Sequence, residues 1–423
     1  MNNKKLGWFA LTPLLLFLIV YLLSAIVVGD FYAIPISSAF LISAFYAFII
    51  TPGKRISDKL SVFSKGATDE NIFTMIWIFI LAGAFASTAK SIGCIDATVN
   101  FILSILPGNL IYAGLFVAAC FVSFAVGTSV GTIVALMPVA NEIAVDIAVN
   151  PAFMAAIIVG GSFFGDNMSL ISDTTIAATR TQGCQMKDKF KENLKIVAPA
   201  ALVVLAIYII SGLSVDVTPT SGEVSFIKMI PYILVIALAL SGVRVVSVLT
   251  IGILLNGVIG MITGSLKWSE YLSSIGAGIN SMGELIIVTL LAGGVMALIK
   301  YNGGIDVIIN SLTKNIKGTK GAQLSIASLV AFANVCTANN TIAIITTGGI
   351  ANDISKKFGV SPRRAASVLD TISCFVQSLV PYGAQLLMAA SFASISSVEI
   401  IPYLYYPLLM GVSSFLWIFF SKK

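Results

Sequence analysis

The sequence predicts an all-α polytopic membrane protein, with about ten transmembrane helices, two further helical hairpins and an internal inverted repeat. Of the 423 residues, 57% are hydrophobic and only 10% are charged, whereas a soluble protein carries about 25% charged residues. The apolar residues form runs long enough to cross a bilayer. Polar residues recur at a fixed interval in the two halves of the chain. A soluble core could not bury this much apolar surface, so lipid must cover part of it.

Candidate spans are runs of about 20 mostly apolar residues. Ten runs meet this criterion: residues 7–28, 31–51, 71–90, 151–178, 196–213, 226–243, 245–265, 281–299, 364–388 and 400–420. Two more apolar regions, 108–148 and 321–355, are too long for one helix, and small polar residues interrupt each near its middle. We expect both to be helical hairpins. Residues 91–106 and 303–316 mix apolar with polar residues, as short helices at the membrane interface do.

The basic residues predict the orientation of these spans. If each hairpin enters and leaves on one side, the main Lys and Arg clusters lie on one face, and the acidic loop 214–225 lies on the other. This arrangement satisfies the positive-inside rule with both termini in the cytoplasm. The same clusters explain the net charge of +6. We therefore expect membrane lipid around the protein and no nucleic-acid partner.

The residue types that usually carry catalysis or hold metals are scarce. The sequence has no His and five scattered Cys, so we expect neither a disulfide framework nor a structural metal site. No nucleophile and base are paired, which argues against a membrane-embedded enzyme. We expect no catalytic residue and no cofactor. A proton that crosses the membrane would have to ride on Asp or Glu.

Polar and conformationally special residues reveal the internal repeat. Five residues of the first half return about 210 residues later, namely Lys90, Gly93, Ile95, Asp96 and Asn100 as Lys300, Gly303, Ile305, Asp306 and Asn310. Pro151 likewise returns as Pro362. Apolar helices resemble each other by chance, but matches of these residue types are not explained that way. The span 71–90 and its partner 281–299 are expected to run in opposite directions, an inverted repeat typical of secondary transporters.

Four polar breaks interrupt the apolar segments, two in each repeat. The two hairpin tips supply seven candidate binding residues: Thr128, Ser129 and Thr132 in the first repeat, and Thr337, Asn339, Asn340 and Thr341 in the second. Unwound backbone and half-helix ends can bind Na⁺ or an anionic group. Packing through small residues is the alternative explanation. Two breaks at matching repeat positions favour a binding site.

The other break of the first repeat spans residues 165–175 and contains Asp166 and Asp173. A charge at mid-helix costs about 2.5–3.5 kcal/mol on translocon scales, and in a helix these two carboxylates share a face. The other candidates there are Asn167, Ser169, Ser172 and Thr174. Hard oxygen ligands suit alkali cations, and a carboxylate shielded from water can also carry a proton. For Asp173, an interfacial position near the basic loop is the alternative.

The matching break of the second repeat spans residues 377–385 and contains no carboxylate. Gln377 and Ser378 are its candidate binding residues, and Pro381 predicts a broken helix. Asp370, one to two turns earlier, is the nearest acidic candidate. We therefore expect the anionic groups to lie mainly on the first repeat.

Two of these breaks resemble motifs of a known family. The run Gly-Asp-Asn-Met-Ser-Leu-Ile-Ser-Asp-Thr-Thr at 165–175 is similar to the signature of NhaC-type Na⁺/H⁺ antiporters, roughly G-D-x-x-S-P-x-S-D-T-T. Residues 127–132 are similar to the G-T-S-W-G-T hairpin motif of that family, and the resemblance extends over residues 71–391. Leu170 replaces the usual Pro and Val130 replaces the usual Trp, which suggests a divergent branch.

The resemblance implies a secondary active transporter of the bacterial inner membrane, with Na⁺/H⁺ antiport as the leading hypothesis. In this hypothesis, Asp166 would bind Na⁺ and H⁺ in competition, and Ser129 and Asn340 would be further Na⁺ ligands. Other neutral oxygens would come from Thr128, Asn167, Ser169 and Asn339. A Na⁺-coupled or exchange carrier for a small organic acid or amino acid is the alternative. An arginine in the central cavity, from position 180, 363 or 364, would favour that anionic substrate.

The resemblance also implies an elevator movement and a division of the chain. Residues 71–180 and 281–391 would each hold a hairpin and a broken helix that move. Residues 1–70 and 181–280 would supply scaffold and linker helices, and residues 392–423 a C-terminal helix. A homodimer through the scaffold is left open.

Overall fold

A computed structural model describes residues 6–28, 35–53, 55–105, 107–170, 172–215, 225–241, 243–313 and 316–420. Every regular element in these residues is helical and no strand occurs among them, which confirms the predicted all-α class. Most of the acidic loop 214–225, and the basic residues at both termini, lie outside the described residues.

The first half of the chain contains ten described α-helices. They are α1 (Thr12–Val28), α2 (Ile36–Ile50), α3 (Ile56–Ala67), α4 (Glu70–Ser91), α5 (Cys94–Ile105), α6 (Ile111–Val126), α7 (Ser129–Asp146), α8 (Pro151–Met168), α9 (Asp173–Gln182) and α10 (Met186–Gly212). Short 3₁₀ helices cover Gly7–Leu11 and Gly108–Leu110. The predicted hairpin 108–148 is thus α6 and α7.

The second half contains eleven described α-helices. They are α11 (Phe226–Leu240), α12 (Val245–Ile262), α13 (Trp268–Ser281), α14 (Gly283–Tyr301), α15 (Gly304–Thr313), α16 (Gly318–Thr337), α17 (Asn340–Phe358), α18 (Pro362–Leu379), α19 (Ala384–Ala393), α20 (Ser397–Ile400) and α21 (Tyr405–Phe420). A 3₁₀ helix covers Ile401–Tyr403. The predicted hairpin 321–355 is α16 and α17.

Several helices are long and apolar enough to cross a membrane. Within the described residues there are seven, or eight if the bent pair Ser397–Tyr403 and Tyr405–Phe420 forms one span. Four shorter apolar helices accompany them, which begin at Gly7, Ile36, Gly108 and Phe226. The multi-pass architecture is therefore confirmed, while the number of ten spans stays a prediction. The sequence analysis did not predict α3 and α13, because a short helix with polar residues on one face fails a criterion based on apolar length.

The order of helices repeats along the chain. Three helices around the polar breaks of the first half, α7, α8 and α9, have counterparts α17, α18 and α19 that each begin 211 residues later. Contacts between helices are exchanged in the same way. The backbone of Gly83 on α4 lies against Gly278 on α13, and Gly293 on α14 lies against Gly66 on α3. Such reciprocal contacts are what a two-fold axis between the repeats produces.

The two repeats run in opposite directions. At the end of α9, Gln182 Nε2 donates a hydrogen bond to Gly348 O of α17 (2.8 Å). Near the end of α19, Ser391 lines the same surface cavity as Asn141 of α7. The hairpin α6–α7 therefore opens on the face where α19 ends, and the hairpin α16–α17 opens on the face where α9 ends. This arrangement confirms the predicted inversion.

The broken helix α8 packs closely on α6 through small residues. A Cβ atom at Gly165 would overlap the backbone at Cys120 and Phe124 of α6. Beside it, Ser123 Oγ donates to the Ser162 carbonyl oxygen (2.5 Å). Small residues allow this close approach of helix backbones, which fixes the first hairpin against the segment that carries Asp166.

We expect Gly165→Ala to destabilise the protein by about 1–3 kcal/mol, because the added methyl group overpacks the contact between α6 and α8. Thermal unfolding in detergent micelles measures the effect. Gly349→Ala is the matched control, since Gly349 lies inside α17 and an added Cβ there would point into open space. This control should leave stability unchanged or raise it by about 0.5–1 kcal/mol. Equal midpoints for the two variants would contradict the close packing.

Candidate functional site

Both hairpin tips and both helix breaks meet around one cavity of about 180 Å³. Nine of the predicted site residues line it: Thr128, Ser129, Asp166, Asp173, Thr174, Asn339, Asn340, Thr341 and Gln377. Gln385 and Met75 also lie on its wall. Residues from both repeats thus come together at one polar site, as the sequence analysis expected of an inverted repeat.

The hairpin tips have the same local structure in both repeats. Gly127 and Ala338 end α6 and α16 in the left-handed conformation, with φ of 74° and 49°. The next residues, Thr128 and Asn339, each accept a hydrogen bond from the backbone N–H three residues later and so cap α7 and α17. The left-handed conformation costs a non-glycine residue roughly 1–2 kcal/mol. Such strain at Ala338 is typical of functional sites.

Asp166 is the buried carboxylate of the cavity, with 4% of its surface exposed. Ser129 Oγ, at the first hairpin tip, donates to Asp166 Oδ2 (3.2 Å). Thr174 Oγ1, at the start of α9, donates to Asp166 Oδ1 (3.4 Å). Gln385 Nε2, from the second repeat, donates to Ser129 Oγ (3.0 Å). The carboxylate is therefore held by neutral hydroxyl groups from two segments, and a third segment supports one of them through Gln385.

Gln377 occupies the position in the second repeat that Asp166 occupies in the first, 211 residues earlier. Its Nε2 donates to the Ala338 carbonyl oxygen (2.9 Å) and to Gln385 Oε1 (2.8 Å). Its Oε1 is buried and has no hydrogen-bond partner within the described residues. The two repeats are thus alike in backbone and different in charge at the cavity, whose two carboxylates, Asp166 and Asp173, both lie on the first repeat.

Basic side chains do not line this cavity within the described part of the chain. Arg180 and Arg363 are exposed, and Arg364 lies in a different cavity beside Trp417. Asp173 is exposed and lies on the cavity wall at the start of α9. The site that the described residues form therefore has two carboxylates and no positive side chain on its wall.

Lys189 and Asp370 form a buried ion pair beside the site. Lys189 Nζ lies 2.8 Å from Asp370 Oδ2, and the two side chains are 1% and 0% exposed. Lys189 Nζ also donates to the Asn167 carbonyl oxygen (2.9 Å), and Asn193 Nδ2 donates to Asp370 Oδ2 (2.7 Å). In the sequence, Lys189 belongs to a basic cluster between positions 180 and 195, which the sequence alone predicts to be a loop, and for Lys189 that prediction is wrong. It lies in the first turn of α10, on the face that packs against the protein.

Seven predicted site residues do not line the cavity, namely Thr132, Asn167, Ser169, Ser172, Thr337, Ser378 and Asp370. Some of them support its wall. Ser172 Oγ caps α9 by accepting a hydrogen bond from Thr175 N (3.2 Å) and donates to the Asp166 carbonyl oxygen (3.0 Å). Ser378 Oγ instead donates to Phe375 O (2.6 Å), within its own helix. A direct role of these seven in binding stays a prediction.

The fold and the site define a class: a multi-pass helical membrane transporter in which two inverted repeats meet at a polar cavity. A model of the Na⁺/H⁺ antiporter family matches residues 7–213 and 200–422. Because these matches cover nearly the whole chain, the protein belongs to that family.

This chain is similar to known transporters over most of its own length and most of theirs. The Na(+)/H(+) antiporter NhaC of Alkalihalophilus pseudofirmus is 24% identical over 382 residues, which cover 82% of this chain and 81% of the relative. The malate-2H(+)/Na(+)-lactate antiporter of Bacillus subtilis is 20% identical, covering 89% and 87%. The Neisseria gonorrhoeae antimetabolite efflux pump MtrF matches 97% of this chain and 96% of its own with a TM-score of 0.40 and 13% identity.

Proposed function

We propose that this protein is a Na⁺/H⁺ antiporter of the bacterial inner membrane that exchanges the two cations at Asp166. The observation that carries the proposal is the cavity wall, which has Asp166 and Asp173 but no basic side chain among the described residues. Its volume of about 180 Å³ is below the roughly 300–1,000 Å³ of typical organic-ligand pockets. A small cation with a few waters fits this space.

Exchange follows from one carboxylate that accepts either cation. With Na⁺, Asp166 would share the ion with oxygens of Ser129 and Asn340 on the cavity wall. With H⁺, the protonated carboxyl would donate to Ser129, because a hydroxyl can accept as well as donate. The empty, charged site is expensive to carry through a low-dielectric region. Movement of the site therefore requires one cation or the other, which makes the exchange obligatory.

The buried ion pair simplifies the charge of the site. Asp370 is compensated by Lys189 at 2.8 Å, so it adds no net charge. Asp173 is exposed and can be neutralised by solvent ions. Asp166 is then the buried carboxylate whose charge the transported cation must balance.

The proposal includes an orientation with both termini in the cytoplasm. Support comes from the basic residues near the end of α9, at the start of α10 and at the end of α17, since contacts bring α9 and α17 to the same face. Positive residues favour the cytoplasmic side. The elevator movement of residues 71–180 and 281–391 and a homodimer stay predictions.

Proteoliposomes test the proposal. The purified protein is reconstituted with a pH-sensitive dye inside, and NaCl is added outside. We expect Na⁺ to drive proton efflux, whereas choline chloride at the same concentration does not. If Na⁺ moves no protons in vesicles whose protein is correctly folded and inserted, the proposed exchange is wrong.

A second candidate function is exchange of a small carboxylate coupled to Na⁺ and H⁺. One observation favours it: the first residues of four helices, α7, α9, α17 and α19, lie on the cavity wall. Helix N-termini carry partial positive charge and attract carboxylates. The relative that exchanges malate and lactate supports the same reading. Adding malate or lactate to the vesicles distinguishes it, because Na⁺-dependent proton movement would then require the organic anion.

We expect Ser129→Ala to raise the Na⁺ concentration for half-maximal exchange about five- to tenfold. The variant loses one neutral ligand and one hydrogen bond to Asp166, worth about 1 kcal/mol. Ser378→Ala is the matched control, since that hydroxyl bonds within α18 and does not line the cavity. Na⁺ titrations of the exchange rate compare the two variants. A larger effect of the Ser378 change would contradict the geometry of the cavity.

A further inference from the structure

A second, larger cavity of about 740 Å³ lies where α10, α16, α18 and α21 meet. It is separate from the transport cavity, because the two walls have no residue in common. Its polar wall consists of Glu192, Lys195, Thr319, Lys320, Gln323, Ser361, Arg363, Arg364 and Trp417. Nothing in the proposed exchange uses these residues.

The cavity has an excess of positive charge. Four cationic side chains line it, from Lys195, Lys320, Arg363 and Arg364, against the one carboxylate of Glu192. That carboxylate is already paired. Lys195 Nζ donates to its Oε2 (3.4 Å), and Trp417 Nε1 donates to its Oε1 (3.1 Å). The remaining charge favours an anionic ligand.

Two helices begin at this cavity and add to its positive potential. α16 begins at Gly318 and α18 at Pro362, and neither N-terminus is capped by the side chain of its N-cap residue. Thr319 and Ser361, next to these starts, line the cavity. Unsatisfied N–H groups and the helix dipole make such ends suitable for phosphate.

The arginine inside the cavity is held in a fixed position. Arg364 is 9% exposed, and its Nε donates to Gln323 Oε1 (2.6 Å) while its Nη2 donates to Trp417 O (2.9 Å). The Trp417 ring lies close to two cations, with its centroid 5.8 Å from Arg364 Cζ and 5.5 Å from Lys195 Nζ. Arg364 therefore contributes a positive charge at a fixed position on the wall of the cavity.

One side of the cavity is apolar. Ile418, Phe419 and Phe420, the last described residues of α21, line it. Phe419 is 44% exposed and Phe420 is 78% exposed. A free phosphate ion would make no favourable contact with this apolar surface, whereas the acyl chains of a phospholipid would pack along it.

The matching end of the first repeat has none of this charge. At an offset of 211 residues, Arg363 corresponds to Ala152 and Arg364 to Phe153. Phe153 packs in an aromatic cluster with Tyr112 at 5.0 Å and Tyr208 at 6.0 Å between ring centroids. The fold therefore closes this end with aromatic rings in one repeat, so the charged cavity of the other is not a requirement of packing.

We propose that this cavity binds the headgroup of an anionic glycerophospholipid. The phosphate lies between Lys320, Arg363 and the starts of α16 and α18, and the acyl chains lie along Phe419 and Phe420. Basic pockets between membrane helices on the cytoplasmic side bind anionic headgroups in this way.

Native mass spectrometry of the delipidated protein tests the proposal by titration with phosphatidylglycerol, phosphatidylcholine and inorganic phosphate. The test variant is Lys320→Gln/Arg363→Gln, since both side chains are exposed and their loss leaves Arg364 in place. The matched control is Lys356→Gln/Lys357→Gln, which removes the same charge from the exposed end of α17 outside the cavity. Thermal unfolding checks that both variants are folded.

We expect one phosphatidylglycerol to bind the wild type and the control with similar affinity, and phosphatidylcholine to bind neither. The test variant should bind phosphatidylglycerol about 25-fold more weakly, because each basic residue at an anionic headgroup contributes roughly a fivefold gain. Equal weakening in both variants would overturn the proposal, since general surface charge would then explain the binding. Displacement of the lipid by millimolar phosphate would also overturn it, in favour of a free-anion site.

Discussion

Asp166→Asn should reduce Na⁺-driven proton movement in proteoliposomes to the level of protein-free vesicles. The amide keeps the shape of the side chain, and it can still meet the hydroxyls of Ser129 and Thr174, which hold the carboxylate in the wild type. It cannot take up a proton or carry the charge that balances Na⁺. Exchange through this site therefore stops, although the fold is expected to persist.

Asp353→Asn is the matched control for this experiment. Asp353 lies exposed on α17, outside the cavity, so its amide variant should exchange at the wild-type rate. Na⁺/Na⁺ exchange can be followed in the same vesicles with ²²Na⁺. Sustained Na⁺-driven proton movement by the Asp166 variant would show that another group carries the proton.

Lys189→Met should destabilise the protein by about 3–5 kcal/mol, because it leaves the Asp370 carboxylate buried without its cation. The pair is 2.8 Å apart and its side chains are 1% and 0% exposed, so water cannot replace the lost partner. Thermal unfolding in detergent measures the loss. Lys187→Met is the matched control. Lys187 lies two residues before Lys189 on the exposed side of the same helix, so its replacement should change stability little.

The double variant Lys189→Met/Asp370→Leu separates the charge from the packing. Replacing both members of a buried ion pair with apolar residues is often neutral. We therefore expect the double variant to recover most of the stability that Lys189→Met loses. If the second substitution makes the protein less stable still, Lys189 acts mainly through its bonds to Asn167 and Thr175.

The sequence was sufficient to predict where the helices break. Gly127 and Thr128 end one helix and cap the next, and Pro381 accompanies the break after α18, as their backbone preferences require. Asp166 was predicted to lie in a buried break because a carboxylate within an apolar segment is costly unless protein surrounds it. The internal repeat then predicted that the second hairpin tip, with Asn339 and Asn340, belongs to the same binding site as the first.

The partners of these residues could not be predicted from the sequence. Lys189 has the neighbours of a basic loop, and only the rotation of α10 about its axis decides that it points inward. Gln385 is not among the predicted binding residues, because its place in the site depends on a hydrogen bond to Ser129, 256 residues away in the chain. Local patterns specify which residues are polar within an apolar segment, but contacts between distant segments depend on the packed structure.

The hydrogen bond from Gln385 to Ser129 joins the two halves of the molecule directly beside Asp166. In the proposed exchange, each half alone would contribute an incomplete set of oxygens, so the affinity for the cation would depend on the distance between the halves. By thermodynamic linkage, a cation that binds more tightly to the assembled set of oxygens stabilises that arrangement of the halves by the same difference in free energy. Occupancy of the proposed site and the conformation of the protein would therefore be linked, and a reagent that fixes one of them would report on the other.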